Sequence, residues 1–218
     1  MRVAMTIPGI PDIIDRQLCE HLTPDYERSM RGVAHVSTAG QCGRRIWMLS
    51  QLDAAPPPRD VETDLIFRWG DTAHARVQEA IVALGGKVEV PVQRGRVIGS
   101  ADGVLGGDVI EIKTIKNLYY VTRSAKREHM LQAGIYALLL GAPRFHILYV
   151  SRLDACRIWH TYGVTGEAGR ELARLDGIVQ EVGAPEGEPS WLCQFCEFRA
   201  DCPVAPPMKR LEGNGGAA

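Results

Sequence analysis

Asp102, Glu111 and Lys113 are the residues whose types and spacing suit catalysis, and they fall in the stretch Gly99 to Lys113, GSADGVLGGDVIEIK. A short apolar run, Val97 and Ile98, leads into Asp102. The chain then turns through Gly103, Gly106 and Gly107, and a second run from Val109 to Ile115 carries Glu111 and Lys113. This predicts a β-hairpin with two carboxylates and an ammonium on its paired strands. Alternation along a strand puts Glu111 and Lys113 on one face and Ile110 and Ile112 on the other, which reads as core. Carboxylate oxygens hold a hard divalent cation that polarises a phosphate and activates water. A lysine beside them stabilises charge that develops in the transition state. The same pattern also suits an amphipathic hairpin with one solvated face, because D…E-x-K is short and common.

The surrounding elements must position these groups. From Ser37, STAGQCGRRIWMLSQL reads as a helix with Ser37 as N-cap, carrying Cys42, Arg44 and Arg45. Ahead of it, Asp12 to Leu22 and Pro24 to Met30 suit a short helix and a turn, and Pro56–Pro58 a stiff connector. Glu62 to Leu84 is the clearest helix, with Ile66, Trp69, Ala73, Val77 and Ile81 as its apolar stripe and Gly85–Gly86 as its stop. Gly70 and His74 lie one turn apart beside that stripe.

Three strands follow, Lys87 to Gln93, Arg96 to Gly103 and Asp108 to Ile115, then a helix from Ser124 to Leu140 carrying Gln132 and Tyr136 on one face. Two more strands, Arg144 to Val150 and Ala155 to Tyr162, flank a turn at Asp154, and Thr165 to Val182 is a last amphipathic helix. Hairpin-linked strands, a helical crossover and further strands predict a mixed α/β fold with helices on the faces of the sheet.

The 218-residue chain has a formal net charge of −1, so its sum argues against a nucleic-acid partner. Its distribution argues otherwise. From Lys113 to Arg127 (KTIKNLYYVTRSAKR) there are five basic residues, no acid and the adjacent Tyr119 and Tyr120. Cations interleaved with aromatic platforms hold single strands without sequence preference, although a basic surface loop has the same composition. No run of about eighteen apolar residues suggests a membrane span. Prolines and acids interrupt the N-terminus, which reads as a poor signal peptide, and a cytoplasmic protein is expected.

Of six cysteines, Cys193, Cys196 and Cys202 crowd near the C-terminus after a Gly183–Pro189 linker. Metal or cluster ligation explains this better than disulfides. Cys156 begins an apolar strand and reads as a buried small hydrophobe.

Taken in order, the chain reads G-x3-H (Gly70, His74), G-x2-D (Gly99, Asp102), E-x-K (Glu111, Lys113) and Q-x3-Y (Gln132, Tyr136). This resembles the RecB-like branch of the PD-(D/E)XK nucleases, with Ala101 where that family usually has the proline before aspartate. One cysteine ahead of that core and C-x2-C-x5-C after it resemble its iron–sulfur members: the CRISPR-associated Cas-four-type exonucleases, the AddB nuclease domain and viral relatives. At this length the Cas-four type is the nearest match, and the resemblance covers Ser37 to Pro203.

The resemblance implies a restriction-endonuclease-like core over residues 59–182, between an N-terminal helical segment (1–58) and a cysteine-rich cluster region (183–218). It implies Mg²⁺ or Mn²⁺ held by His74, Asp102, Glu111 and the Ile112 carbonyl. Lys113 would activate water, and Gln132 and Tyr136 would position the active-site loop and the DNA backbone. Cys42, Cys193, Cys196 and Cys202 would bind a [4Fe–4S] cluster, with Cys19 the rival to Cys42. Four thiolates also suit zinc, and spacing does not separate the two. Asp108 is a decoy carboxylate at the turn.

The expected function is a metal-dependent DNA exonuclease on single-stranded ends, in CRISPR adaptation, phage recombination or repair. Arg44, Arg45, Lys116, Tyr119, Tyr120, Arg123, Lys126 and Arg127 are the DNA-binding candidates. The alternatives are a DNA-binding adaptor for integrase subunits and a zinc-stabilised structural protein.

Overall fold

The computed structural model describes residues 31–52 and 61–206. Cys19, the two N-terminal elements and Pro56–Pro58 lie outside those residues. Among the described residues no helix is long and apolar enough to cross a membrane.

The fold is mixed α/β: a six-stranded sheet with helices packed on its faces. Strand β1 is Ala34–His35, helix α1 Gly43–Ser50 and helix α2 Val61–Ala83. Strands β2 (Lys87–Arg94), β3 (Val97–Leu105) and β4 (Asp108–Ile115) follow. Helix α3 (Arg127–Leu140) crosses to β5 (Arg144–Ser151) and β6 (Arg157–Gly163), and α4 is Gly166–Gln180. The sheet runs β1-β3-β4-β5-β6, with β2 also paired to β3. Pairs β4/β5 and β1/β3 are parallel; the remaining pairs are antiparallel.

The β3–β4 turn is tight because Gly106 and Gly107 have φ of 60° and 89°, the left-handed pair that matches a two-residue hairpin turn to the twist of its strands. Gly103, expected in that turn, is instead a β3 residue paired with Ile110. Beyond that pair the two strands part, and β1 takes up the far end of β3 at Val97 and Ile98.

A core lies on each face. Ile81, Ile110 and Ile112 form the smaller one under α2. Val109, Ile147 and Tyr149 join Leu131, Ile135 and Tyr136 of α3 and Leu172 and Leu175 of α4 in the larger. Burial of β4 on both faces overturns the solvated-face reading of the hairpin, since Glu111 is 0% exposed.

Four other expectations are corrected. The helix expected from Ser37 is a 3-10 turn, Val36–Thr38, and only then α1, so Cys42 caps a helix instead of lying inside one. Glycines at positions 40 and 43 and the anchoring of this loop by α4 break the periodic reading. The apolar stripe of α2 is only half used: the helix meets the sheet through Gly70, Val77 and Ile81, whereas Ile66 and Trp69 are exposed. Cys156 is exposed, because it belongs to the β5–β6 turn and its amide donates to Asp154. The Gly183–Pro189 segment is docked across α1, where the Pro185 carbonyl accepts from Arg44 and Glu188 accepts from the Gly43 amide.

Candidate active site

Where β3 and β4 part, the hairpin register brings Asp102 and Glu111 opposite one another, one step beyond the Gly103–Ile110 pair. The Ile112 amide, left without a strand partner there, donates to Asp102 Oδ2 at 2.6 Å. His74 reaches the same carboxylate from α2, with Nδ1 3.7 Å from Oδ1. Lys113 Nζ sits 2.7 Å from Glu111 Oε1. Lys113 thus partners Oε1, and the other buried Glu111 oxygen, Oε2, is left without one.

Two glycines permit this convergence. A Cβ at Gly70 would lie 3.1 Å from Thr114 Oγ1, so a larger residue would push α2 and His74 away from β4. A Cβ at Gly99 would come within 2.9 Å of the Tyr136 ring. Tyr136 and Gln132 are both buried, and the Tyr136 hydroxyl is bonded by the Gln132 side chain and the Ser100 amide. The pair therefore braces β3 next to Asp102 and is not a surface for a ligand.

Electrostatics follow from burial. Desolvation pushes Glu111 up to about 7, with Lys113 pulling down and Asp102 pushing up. It pushes Asp102 up to about 6, against the Ile112 amide and Lys113. Burial pulls Lys113 down, but Glu111 and Asp102 outweigh it and hold its pKa above the ordinary lysine value. His74 is lowered by burial and then by Lys113, with the surrounding carboxylates opposing.

Among the described residues no three His, Cys, Asp or Glu side chains already stand as a ligand group for an ion. The donor chemistry nonetheless fits a hard divalent cation: a buried carboxylate with one unpartnered oxygen, a second carboxylate opposite it and an imidazole.

The sequence reading missed Glu89 and Gln78. Glu89 has a left-handed φ of 48° in mid-strand, where a non-glycine residue is strained, and such strain clusters at functional sites. Its carboxylate accepts from Gln78 and Ser100 and acts on both His74 and Asp102. Gln78, one turn after His74, also donates to the Asp102 carbonyl at 3.1 Å. Only its i+4 spacing from His74 was a signal. Asp108 is tied to Arg144 and His146 and closes the hairpin, so it stands apart from the site.

The basic stretch divides. Lys116, Tyr120 and Lys126 line a cavity of about 640 Å³ that opens beside Lys113. Tyr119 and Arg123 are exposed near it, whereas Arg127 pairs with Glu167 at 3.0 Å. Arg44 and Arg45 lie elsewhere. Arg45 grips Glu197 through two hydrogen bonds of 2.9 and 2.8 Å, and Arg44 holds Pro185, so both join α1 to the cysteine-rich segment.

There Cys42, Cys193, Cys196 and Cys202 line one cavity of about 240 Å³. Cys42 Sγ accepts the Glu188 amide at 3.4 Å and Cys193 Sγ the Ser190 amide at 3.3 Å. The loop carrying Cys42 is fixed by α4: the Gly40 amide donates to Glu171, and Arg174 donates to the Gln41 carbonyl. Burial raises the Cys196 pKa, while the Phe198 amide and Arg45 oppose it.

No family profile matches the sequence, and no curated protein matches it. Among solved structures, the one described as SSO0001 superposes with a TM-score of 0.56 at 21% identity, covering 91% of this chain and 98% of that one. That likeness shows a shared fold. Weaker matches are LHK-Exo in complex with dAMP (TM-score 0.46, 14% identity, 69% of this chain and 87% of that one) and a phage-related exonuclease from Haemophilus somnus 129PT (0.41, 12%, 52% and 68%).

Proposed function

We propose that the protein is a divalent-metal-dependent nuclease acting on single-stranded DNA ends. The observation that carries this reading is the register-opposed pair of carboxylates, the buried Glu111 and the half-buried Asp102, with Lys113 against one and His74 against the other. An ordinary structural pair would be fully hydrogen-bonded. Here the buried Glu111 Oε2 is left unpartnered, and Lys113, which holds the other oxygen, lines a basic, aromatic-edged cavity.

His74, Asp102, Glu111 and the Ile112 carbonyl would hold Mg²⁺ or Mn²⁺. When bound, the cation stabilises charge on phosphate oxygens and lowers the pKa of the attacking water. Lys113, kept charged by Glu111 and Asp102, orients that water and balances charge on the phosphate as the ester bond breaks. Gln132 and Tyr136 hold β3 so that Asp102 stays aimed at Glu111. Lys116, Tyr120 and Lys126 line the path of the strand, with a phosphate contact at each cation and base stacking on the ring.

The four cysteines are proposed to hold a [4Fe–4S] cluster. They surround one cavity, and two of them accept backbone amides, as thiolates do; the choice of a cluster over zinc rests on the family resemblance. Its role is to tie the segment before α2 to the segment after α4. A setting in CRISPR adaptation, phage recombination or repair is part of the same proposal and rests on the family resemblance alone.

Anaerobic purification and cleavage of end-labelled single strands with and without Mn²⁺ tests the reading. Metal-dependent shortening is expected. Its absence from a folded, metal-supplied protein would overturn the proposal.

A further inference from the structure

The cavity beside Lys113 contains two groups that the reaction above does not use. Arg152 follows β5 and is held there by its amide, which donates to the Ile115 carbonyl at 2.9 Å. Its side chain lines the cavity, yet its Nε is buried without a partner, and among the described residues no carboxylate pairs with it. The half-buried guanidinium thus opens onto the cavity with no acid beside it, and a buried N–H of this kind is costly unless an acceptor completes it.

His129 is the second group. It lies in the first turn of α3, three residues before Gln132, and also lines the cavity. Its Nδ1 is 2.7 Å from the Tyr149 hydroxyl. That hydroxyl already accepts the Lys126 amide at 3.0 Å, and Tyr149 is 0% exposed. The phenolic proton therefore goes to His129 Nδ1, the acceptor the structure offers it. An accepting Nδ1 makes the imidazole neutral with its proton on Nε2. Burial, Lys113 and Lys126 all disfavour a second proton, holding the pKa down at about 3. Tyr149 thus turns His129 into a fixed neutral N–H donor.

No acidic residue lines this cavity, whereas Lys113, Lys116, Lys126 and Arg152 all do. The N-terminal end of α3 adds its partial positive charge. Glu128 lies in the same turn, but it is not part of the lining.

We propose that this cavity is a phosphate subsite, in which Arg152 and the Nε2–H of His129 hold a phosphate group other than the one presented to Asp102 and Glu111. The proposal rests on the nuclease reading for the nature of its ligand. The anion is either an internal phosphodiester of the strand or a terminal phosphate monoester, and the same two donors suit both. Arg152 supplies charge and a forked donor. His129 supplies direction without charge, so it selects for an oxygen in one place and adds little to the salt dependence.

The test uses the full chain without divalent metal and an internally labelled single-stranded oligonucleotide, read by fluorescence anisotropy across a salt series, with circular dichroism as the check on folding. Arg152→Gln is expected to weaken binding about tenfold and flatten the salt slope by roughly 0.7 to 1, the signature of one lost phosphate contact. His129→Ala should weaken binding about fivefold with the slope unchanged, and His129→Gln, whose amide can replace Nε2–H, should restore most of it. The two positions are independent, so a folding failure at one leaves the other to decide.

Oligonucleotides ending in hydroxyls or in 5′- or 3′-phosphates separate the two sources. Equal losses on all of them assign an internal diester, and a loss confined to one phosphorylated end assigns that monoester. Unchanged affinity and slope in Arg152→Gln and His129→Ala, with the wild type binding and cleaving DNA, would overturn the subsite and leave the nuclease reading standing. A wild type that neither binds nor cleaves single strands would overturn both.

Discussion

Asp102 and Glu111 face each other across the opening of the β3–β4 hairpin, one residue past the last paired position, Gly103 with Ile110. Had the ladder continued, their backbones would pair and the groove would close. Instead the Ile112 amide bonds to the Asp102 carboxylate, so the hairpin opens at the point where its two acids meet.

Glu111→Gln is expected to abolish metal-dependent cleavage, by at least about 10³-fold, because a neutral amide is a poor ligand for a hard cation. The fold should persist, since shape is conserved. Cleavage assays beside circular dichroism check both halves, and wild-type activity in this variant would refute the site.

The metal-free protein should lose stability as pH rises. Asp102 and Glu111 are pushed up to about 6 and about 7, so between about pH 4 and 7 the folded state binds more protons than the unfolded state, and stability falls across that window. Melting temperatures from pH 4.5 to 8 should show the decline, and Glu111→Gln should reduce it. Saturating Mn²⁺, which binds the ionised forms, should oppose it.

Gly99→Ala should be disproportionately harmful. The new methyl group would meet the Tyr136 ring at 2.9 Å and Val36 Cβ at 3.1 Å, both in the core. Overpacking of this kind costs about 1–3 kcal/mol. Tyr136→Phe removes the hydroxyl bonded to Gln132 and Ser100 and should cost about 1–2 kcal/mol. Both variants should lower kcat more than DNA affinity, since they disturb the aim of Asp102 and leave the basic cavity intact. Denaturant titration and steady-state kinetics measure the two effects.

Cys42→Ala and Cys202→Ala should each remove the brown colour and the absorbance expected at roughly 400 nm of a thiolate-bound cluster. Each should also destabilise the protein, because the cluster joins positions about 150 residues apart in sequence. Arg45→Ala, which breaks the partly exposed grip on Glu197 and the bond to the Gln41 side chain, should cost about 1 kcal/mol and leave the colour. A colourless, zinc-loaded wild type would refute the cluster.

By itself the sequence determined the elements and the order of the chemical groups. Glycines at 106 and 107 dictate a tight hairpin, and period-two alternation separates Glu111 from Ile112. The 3.6-residue period places His74 on α2 and puts Gln132 with Tyr136 on α3. These signals are local, and the chain carries them wherever its elements pack.

Only the tertiary structure decided burial and partnership. A strand's alternation does not say that a helix will cover its charged face, so the hairpin pattern alone favoured a solvated Glu111. Arg44 and Arg45 resembled Lys116 and Lys126 in composition, until packing gave the first pair Pro185 and Glu197 and left the second pair lining the cavity. Cys156 sat beside apolar residues in the chain yet lies in a turn. Glu89, His129 and Arg152 belong to no local pattern, and Gln78 has only its i+4 spacing from His74. Their roles arise from contacts between segments far apart in the chain, and those contacts exist only once the sheet and its helices have packed.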